Sequence, residues 1–192
     1  MKTLLILLFF TPLFSFSQGY SEVVEVPGKT AGQLYSIARE WFAKAFISAD
    51  NALLMDDLIS GKIIAKGSIQ ISDSNKTVLW YPNFTIKVSF KDGRYKSEIT
   101  DISITTGVSE FSSGTTTTFK EYFEKKESYR RLSDPDGLIN NPLGGVKIGK
   151  AAARTLARPN KVIYDLICKT ESEMKDLLSK LQKEMKMSED DW

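Results

Sequence analysis

A chain of 192 residues with one cysteine and no histidine has few ways to do chemistry. The missing imidazole removes the usual general base, the Ser-His and Cys-His nucleophile pairs, and nearly every zinc or copper site. What remains are glycines, carboxylates and aromatic rings. Gly144 to Lys150 fits the first seven positions of a phosphate-binding P-loop, in which backbone N–H groups and a lysine cradle phosphates. Ala151, however, stands where a Ser or Thr must hold Mg²⁺, and Asn140-Asn141-Pro142 precedes the segment where a buried strand is required. The segment therefore reads as a Gly-rich loop ahead of an Ala-rich helix. Asp134-Pro-Asp136-Gly137 with Asn140 and Asn141 offers oxygen ligands of the kind Ca²⁺ prefers. The third acid and the bidentate Glu of an EF-hand are missing, so a turn cluster is expected.

Two further acidic groups, Asp56-Asp57 and Glu189-Asp190-Asp191, consist of sequence neighbours. Neighbours in a strand point to opposite faces, and a terminal acidic run is solvated, so neither makes an acid/base pair without tertiary help. Trp80-Tyr81 before Pro82 could form an aromatic platform for a sugar or peptide; a strand end packed beside helices is the plainer reading. Cys168 sits within an apolar helical stripe and is expected as a buried, inert thiol, with no second cysteine for an intramolecular disulfide. No metal and no cofactor is expected.

The elements that must position these groups follow from periodicity. Tyr20 to Val26 alternates as a strand and stops at Pro27-Gly28. Thr30 and Gln33 have capping-box spacing, and Leu34, Ile37, Ala38, Trp41, Phe42, Ala45 and Phe46 then share one helical face. Strands are expected at Ala52 to Met55, from Gly61 with Ile63, Ala65, Gly67, Ile69 and Ile71 on one side, and at Val78 to Tyr81, ended by Pro82. Phe84 to Phe90 alternates into Asp92-Gly93, which predicts a type I′ hairpin pairing Phe90 with Tyr95, Ile86 with Ile99, and Lys87 with Glu98. The inward parity changes between Ile99 and Ile102, which predicts a bulge near Thr100 and Asp101. Ser112 to Thr118 reads as a linker or weak edge strand, Ser133 to Gly145 as a long loop, and Asn160 as the cap of a last helix. That helix carries an apolar stripe from Ile163 to Met185, with Glu171–Lys175 and Asp176–Lys180 as i,i+4 pairs.

The expected fold is thus α+β, an antiparallel sheet in β-α-β-β-β-β-α order with a long C-terminal helix packed on it. Tyr20-Ser-Glu-Val-Val-Glu-Val-Pro27-Gly28-Lys29, Gln33-Leu34-Tyr35 leading to Glu40-Trp41-Phe42, and Ser60-Gly61-Lys62-Ile63-Ile64-Ala65-Lys66-Gly67 resemble the motifs of a secreted bacterial family of unknown function with a TATA-binding-protein-like fold. The resemblance covers about Tyr20 to Thr106. It implies a fold and an exported setting, and brings no catalytic residue or ligand. The organisation expected is a leader at 1–17, the α+β domain at 18–106, a linker and loop-rich region at 107–159, the helix at 160–187 and an acidic tail at 188–192.

Met1 to Ser17 combines Lys2, an apolar run from Leu4 to Phe10, Pro12, and small residues at Ser15 and Ser17, the pattern of a cleaved secretory signal peptide. The apolar run is shorter than the roughly 20 residues that span a bilayer, so the mature chain is expected to be exported, periplasmic or secreted, and not transmembrane. Loss of Lys2 leaves 25 basic against 24 acidic residues, a net charge of +1, and no nucleic-acid partner is expected from that balance. The open face of the hairpin would carry Thr85, Lys87, Ser89, Lys96, Glu98 and Thr100, without the apolar wedges of a minor-groove saddle. The function expected is a non-enzymatic binding domain for a protein or envelope component. One alternative is a carrier of an apolar small molecule held near Trp41, Phe84, Ile86 and Val88; a carboxylate-dependent hydrolase is the other. N-terminal sequencing of protein recovered from the envelope should return Gln18 as the first residue, and recovery of Met1 there would replace cleavage with an uncleaved anchor.

Overall fold

The computed structural model describes residues 19–46, 52–109, 112–140, 145 and 147–187. Met1 to Ser17, the expected leader, and the acidic Glu189-Asp190-Asp191 lie outside the described residues. In chain order the elements are β1 (Tyr20–Glu25), α1 (Ala31–Ala45), β2 (Leu53–Asp57), β3 (Lys62–Ser68), β4 (Ile71–Ser72), β5 (Leu79–Lys91), β6 (Arg94–Ser109) and β7 (Ser112–Thr118). Four helices follow: α2 (Phe119–Glu124), α3 (Lys126–Leu132), α4 (Pro135–Asn140) and α5 (Lys150–Lys186). The seven strands form one antiparallel sheet in the order β1-β6-β5-β3-β2, with β4 on β5 beyond β3 and β7 on β6 beyond β1.

The long hairpin of β5 and β6 is the centre of this sheet. Its register pairs Phe90 with Tyr95, Ile86 with Ile99 and Lys87 with Glu98, as the alternation predicts. The turn differs from the type I′ expectation. Gly93 has φ of +74°, but Asp92 does not share the positive φ that type I′ demands of both central residues. Asp92 serves another purpose. Its Oδ1 accepts the N–H of Ala31 at 2.8 Å, and the Gly93 N–H donates to the Lys29 carbonyl at 2.8 Å, so the hairpin tip holds the first turn of α1. The Thr30–Gln33 capping box is also formed, which leaves fewer helix N–H groups unpaired. At Asp101 and Ile102 two β6 residues stand opposite Phe84 alone on β5, and Asp101 takes φ of +54°; the expected bulge is there, and it returns Ile102 and Ile104 to the buried side.

Pro82, expected to end a strand, lies inside one, and Pro159 lies inside a helix. β5 runs through Pro82 because an extended residue's N and O point to the same side, and the Pro82 carbonyl accepts the Ile69 N–H, where the flanking ladder is interrupted between β3 and β4. The missing N–H of Pro82 therefore removes no bond to β6. Pro159 lies inside α5, which starts at Lys150 rather than after an Asn160 cap. Asn160 instead turns its side chain back to the Leu156 carbonyl at 2.7 Å. Burial on both sides of the proline carries the helix past it: Ala153 and Ala157 pack on Leu138 of α4, and Leu166 and Ile167 pack on the sheet. The Thr-rich segment is the edge strand β7, and the expected loop from Ser133 contains α4, which Asp134 starts by accepting the Asp136 N–H at 3.1 Å.

The core lies between one sheet face and the helices. α1 contributes Leu34, Ala38, Trp41 and Phe42, joined by Tyr35, which the helical stripe did not include. α5, 37 residues and about 55 Å long at 1.5 Å per residue, contributes Leu166, Ile167, Met174, Leu178, Leu181 and Met185. The helix docks in cis. Asp176 and Lys180 pair at 2.7 Å as expected, whereas Glu171 pairs with Lys126 of α3 instead of Lys175. Gly67 is required where it stands, because a Cβ there would collide with the rings of Phe84 and Phe46. Val88 is fully buried in this layer. Val88→Asp should abolish cooperative thermal unfolding, since an unpaired buried charge costs several kcal/mol, comparable to a domain's whole stability. A variant that melts like the parent would place the other sheet face inside.

Candidate functional site

The residues singled out from the sequence are scattered by the fold. Asp56 accepts a hydrogen bond from the Tyr35 hydroxyl and pairs with Arg39 Nε at 2.9 Å, tying β2 to α1. Asp57 accepts the N–H groups of Ile59 and Ser60 and shapes the turn into β3. Trp80 is buried with its ring 4.7 Å from that of Tyr122 on α2, so it braces a helix rather than offering a platform. At the P-loop-like segment, Gly149 is the residue before α5, and the last described element ahead of it is the helix α4, not a strand. Among the described residues no group of three or more acids and cysteines stands close enough to hold a metal ion.

Of Trp41, Phe84, Ile86 and Val88, the last three lie within the packed core. Trp41 alone of the four also lines a surface groove of about 470 Å³ between α1 and the C-terminal half of α5. Its floor is Trp41, Ile69, Met174 and Leu177. Charged side chains, Lys44 on α1 and Glu173, Lys183 and Glu184 on α5, stand along its rims. The stripe on each helix was legible in sequence. That Ile69 would lie between the two was not, because its place depends on β4 returning beside β5.

A second depression, of about 660 Å³, lies between the β4–β5 turn and the middle of α5. Cys168 lines it and is half-buried rather than enclosed. The turn is built on Asp73, which is 7% exposed and whose carboxylate accepts the N–H groups of Val78 at 2.8 Å and Thr77 at 2.7 Å, together with the Thr77 hydroxyl at 2.9 Å. Lys169 reaches the neighbouring Ser72 carbonyl at 2.6 Å and fastens α5 to this turn. The Val78 N–H, followed by the Thr77 hydroxyl and the N–H groups of Asn75 and Thr77, outweighs desolvation and holds the Asp73 carboxyl below the usual carboxylate range.

The open sheet face carries Thr85, Lys87, Ser89, Lys96 and Glu98 as expected, and Glu98 binds both Lys96 at 2.7 Å and Lys87 at 3.5 Å. That set holds none of the apolar wedges that minor-groove binders frequently insert. Under the helices, burial pushes the Tyr95 phenol well above its ordinary range, with the Glu22 carboxylate adding to the shift.

A long hairpin at the centre of a twisted antiparallel sheet, with helices on one face only, defines an α+β protein of the TBP-like class. Residues 20–105 match the family described as a domain of unknown function (DUF4468) with TBP-like fold. A crystal structure of a DUF4468 family protein from Bacteroides ovatus superposes with a TM-score of 0.53 at 16% identity, covering 90% of this chain and 88% of that one. A TBP-like protein from Parabacteroides distasonis gives a TM-score of 0.45 at 12% identity, covering 83% of this chain and 90% of that one. No curated protein matches. The likeness to the Bacteroides structure is one of fold, and it extends beyond the matched residues through the helices.

Asp73 has a pH signature. Because its folded pKa is depressed, its stabilisation is complete above the unfolded value near 4 and is lost as the pH falls through the lower folded value. Asp73→Asn should therefore be less stable than the parent at neutral pH and lose less on acidification below about pH 4. Denaturant titrations at neutral and acidic pH measure both; equal acid sensitivity in the two proteins would refute the assignment.

Proposed function

We propose that this is an exported, non-enzymatic binding domain that engages a protein or envelope component through the groove between α1 and α5. The observation that carries the reading is an apolar floor flanked by charges: Lys44, Glu173, Lys183 and Glu184 have no ion-pair partner among the described residues. An apolar centre within a polar rim is the anatomy of a recognition surface. Asp56 and Asp57, acids singled out from the sequence, and Asp73 are engaged in turns and inter-element bonds, which supports binding over acid/base work. Export is supported by the composition of Met1 to Ser17. The groove also falls in the size range of small-molecule sites, which keeps an apolar ligand as the second reading.

The test is capture from the native envelope by crosslinking, comparing the parent with Leu177→Lys. Leu177 is half-buried at the groove, and a lysine there can lay its stem on the floor while adding a charge, so the fold should persist with only a small change in melting temperature. Specific crosslinked species, identified by mass spectrometry, should disappear with the variant. Species that persist unchanged would move the binding surface elsewhere, and an extracted lipid or metabolite in place of a protein would establish the second reading.

A further inference from the structure

Overall charge balance conceals a local imbalance. From Gly137 to Tyr164 the chain has no acid, yet it carries Lys147, Lys150, Arg154, Arg158 and Lys161. Their spacings of three, four, four and three residues bring them to one side of α5 and of the residues that lead into it. All five are exposed. Lys161 pairs with Asp165 at 3.0 Å; the other four have no carboxylate partner among the described residues.

The helix end beneath this row contradicts local preference. A helix N-terminus carries partial positive charge and favours acids or a capping side chain. Here the first turn has no acid, Gly149 provides no side-chain cap, and lysines stand on both sides of it. The opposite end is satisfied within the molecule, where Lys29 Nζ donates to the carbonyls of Met185, at 3.1 Å, and Met187. One end of α5 is closed by an internal cation, and the other concentrates uncompensated positive charge.

We propose that this row, Lys147, Lys150, Arg154, Arg158 and Lys161, docks the domain onto the anionic headgroup surface of a lipid bilayer. The apolar side of the helix is already used, with Ala153 and Ala157 packed on α4, so the contact is electrostatic and peripheral. Packing against α3 and α4 leaves α5 one accessible side here, which suits a plane better than insertion into a duplex groove. No aromatic residue interleaves with the row between Lys147 and Ile163, as stacking on a single-stranded nucleic acid would require. The row occupies the N-terminal half of α5 and the groove its C-terminal half, so either assignment can fail alone.

The full chain should be mixed with vesicles of phosphatidylglycerol and phosphatidylcholine, and with vesicles of phosphatidylcholine alone, and bound protein measured by flotation. Stronger binding to the anionic vesicles, weakening as salt is raised, is expected. Arg154→Gln with Arg158→Gln should reduce that partitioning about thirtyfold, the size expected for two cations at such a surface. Both residues are exposed and unpaired, so the circular dichroism spectrum should not change. Lys66→Gln with Lys91→Gln, on the sheet, should bind like the parent, and the apolar run at residues 4–10 contributes equally to every variant. Equal binding of the parent to both vesicle types, or an unaltered preference in the arginine double variant, overturns the proposal. So does binding to an acidic polysaccharide, acidic protein or nucleic acid without any anionic-vesicle preference.

Discussion

The apolar face of the sheet is wider than one helix can cover, and the docking of α5 beside α1 is the constraint on which the rest depends. α1 lies against β5 and β6 but leaves much of the layer beneath Ile99, Ile102 and Ile104 to be closed from elsewhere. α5 closes it with a stripe of large side chains, and polar contacts fix its line: Lys29 at its C-terminal end, Lys169 at the β4–β5 turn and Lys126 opposite Glu171. The hydrophobic term supplies the bulk of the attachment, being non-directional and proportional to area; the polar contacts select one register from the several that an apolar stripe would allow. Both depressions described above are by-products of that docking, since each has α5 as one wall.

Features set by neighbouring residues were legible in sequence. The capping box at Thr30 and Gln33, the hairpin register around Asp92-Gly93, and the bulge after Thr100 each involve one local geometry with one stereochemical solution. Features set across the chain were not. Pro82 and Pro159 have the same local cost anywhere, but one faces a gap between β3 and β4 and the other sits between two buried stretches of helix. Glu171 chose Lys126, 45 residues away, over a lysine one turn along its own helix. The Thr-rich segment lacked an apolar period because β7 is an edge whose pairing with β6 needs backbone, not side chains.

For the candidate site the balance is less favourable. Trp41 was identified through its helical face, yet grouping it with Phe84, Ile86 and Val88 joined a core residue that also lines the groove to three that do not, because a stripe tells which side is inward and not where the packing ends. The cationic row was visible in the sequence as an acid-free interval, and averaging charge over the whole chain hid it. A fold shared at 16% identity fixes layers and topology; recognition chemistry resides in side chains that such a likeness leaves free to vary.

The position of α5 at the end of the described chain has a consequence for the order of events during synthesis. Every strand among the described residues has left the ribosome before residues 163–185 appear, so the nascent sheet must wait with the part of its apolar face that α5 covers still open to water. Contacts that close the core join Tyr20 to Val26 with partners more than 130 positions later, as Lys29 does with Met185 at a separation of 156. Such long-range closure is slow relative to local pairing, because loop entropy must be overcome before the contact contributes. The nascent chain therefore stays incompletely folded until residues 163–185 have emerged, and any chaperone or transport apparatus that requires an open polypeptide has that interval in which to act.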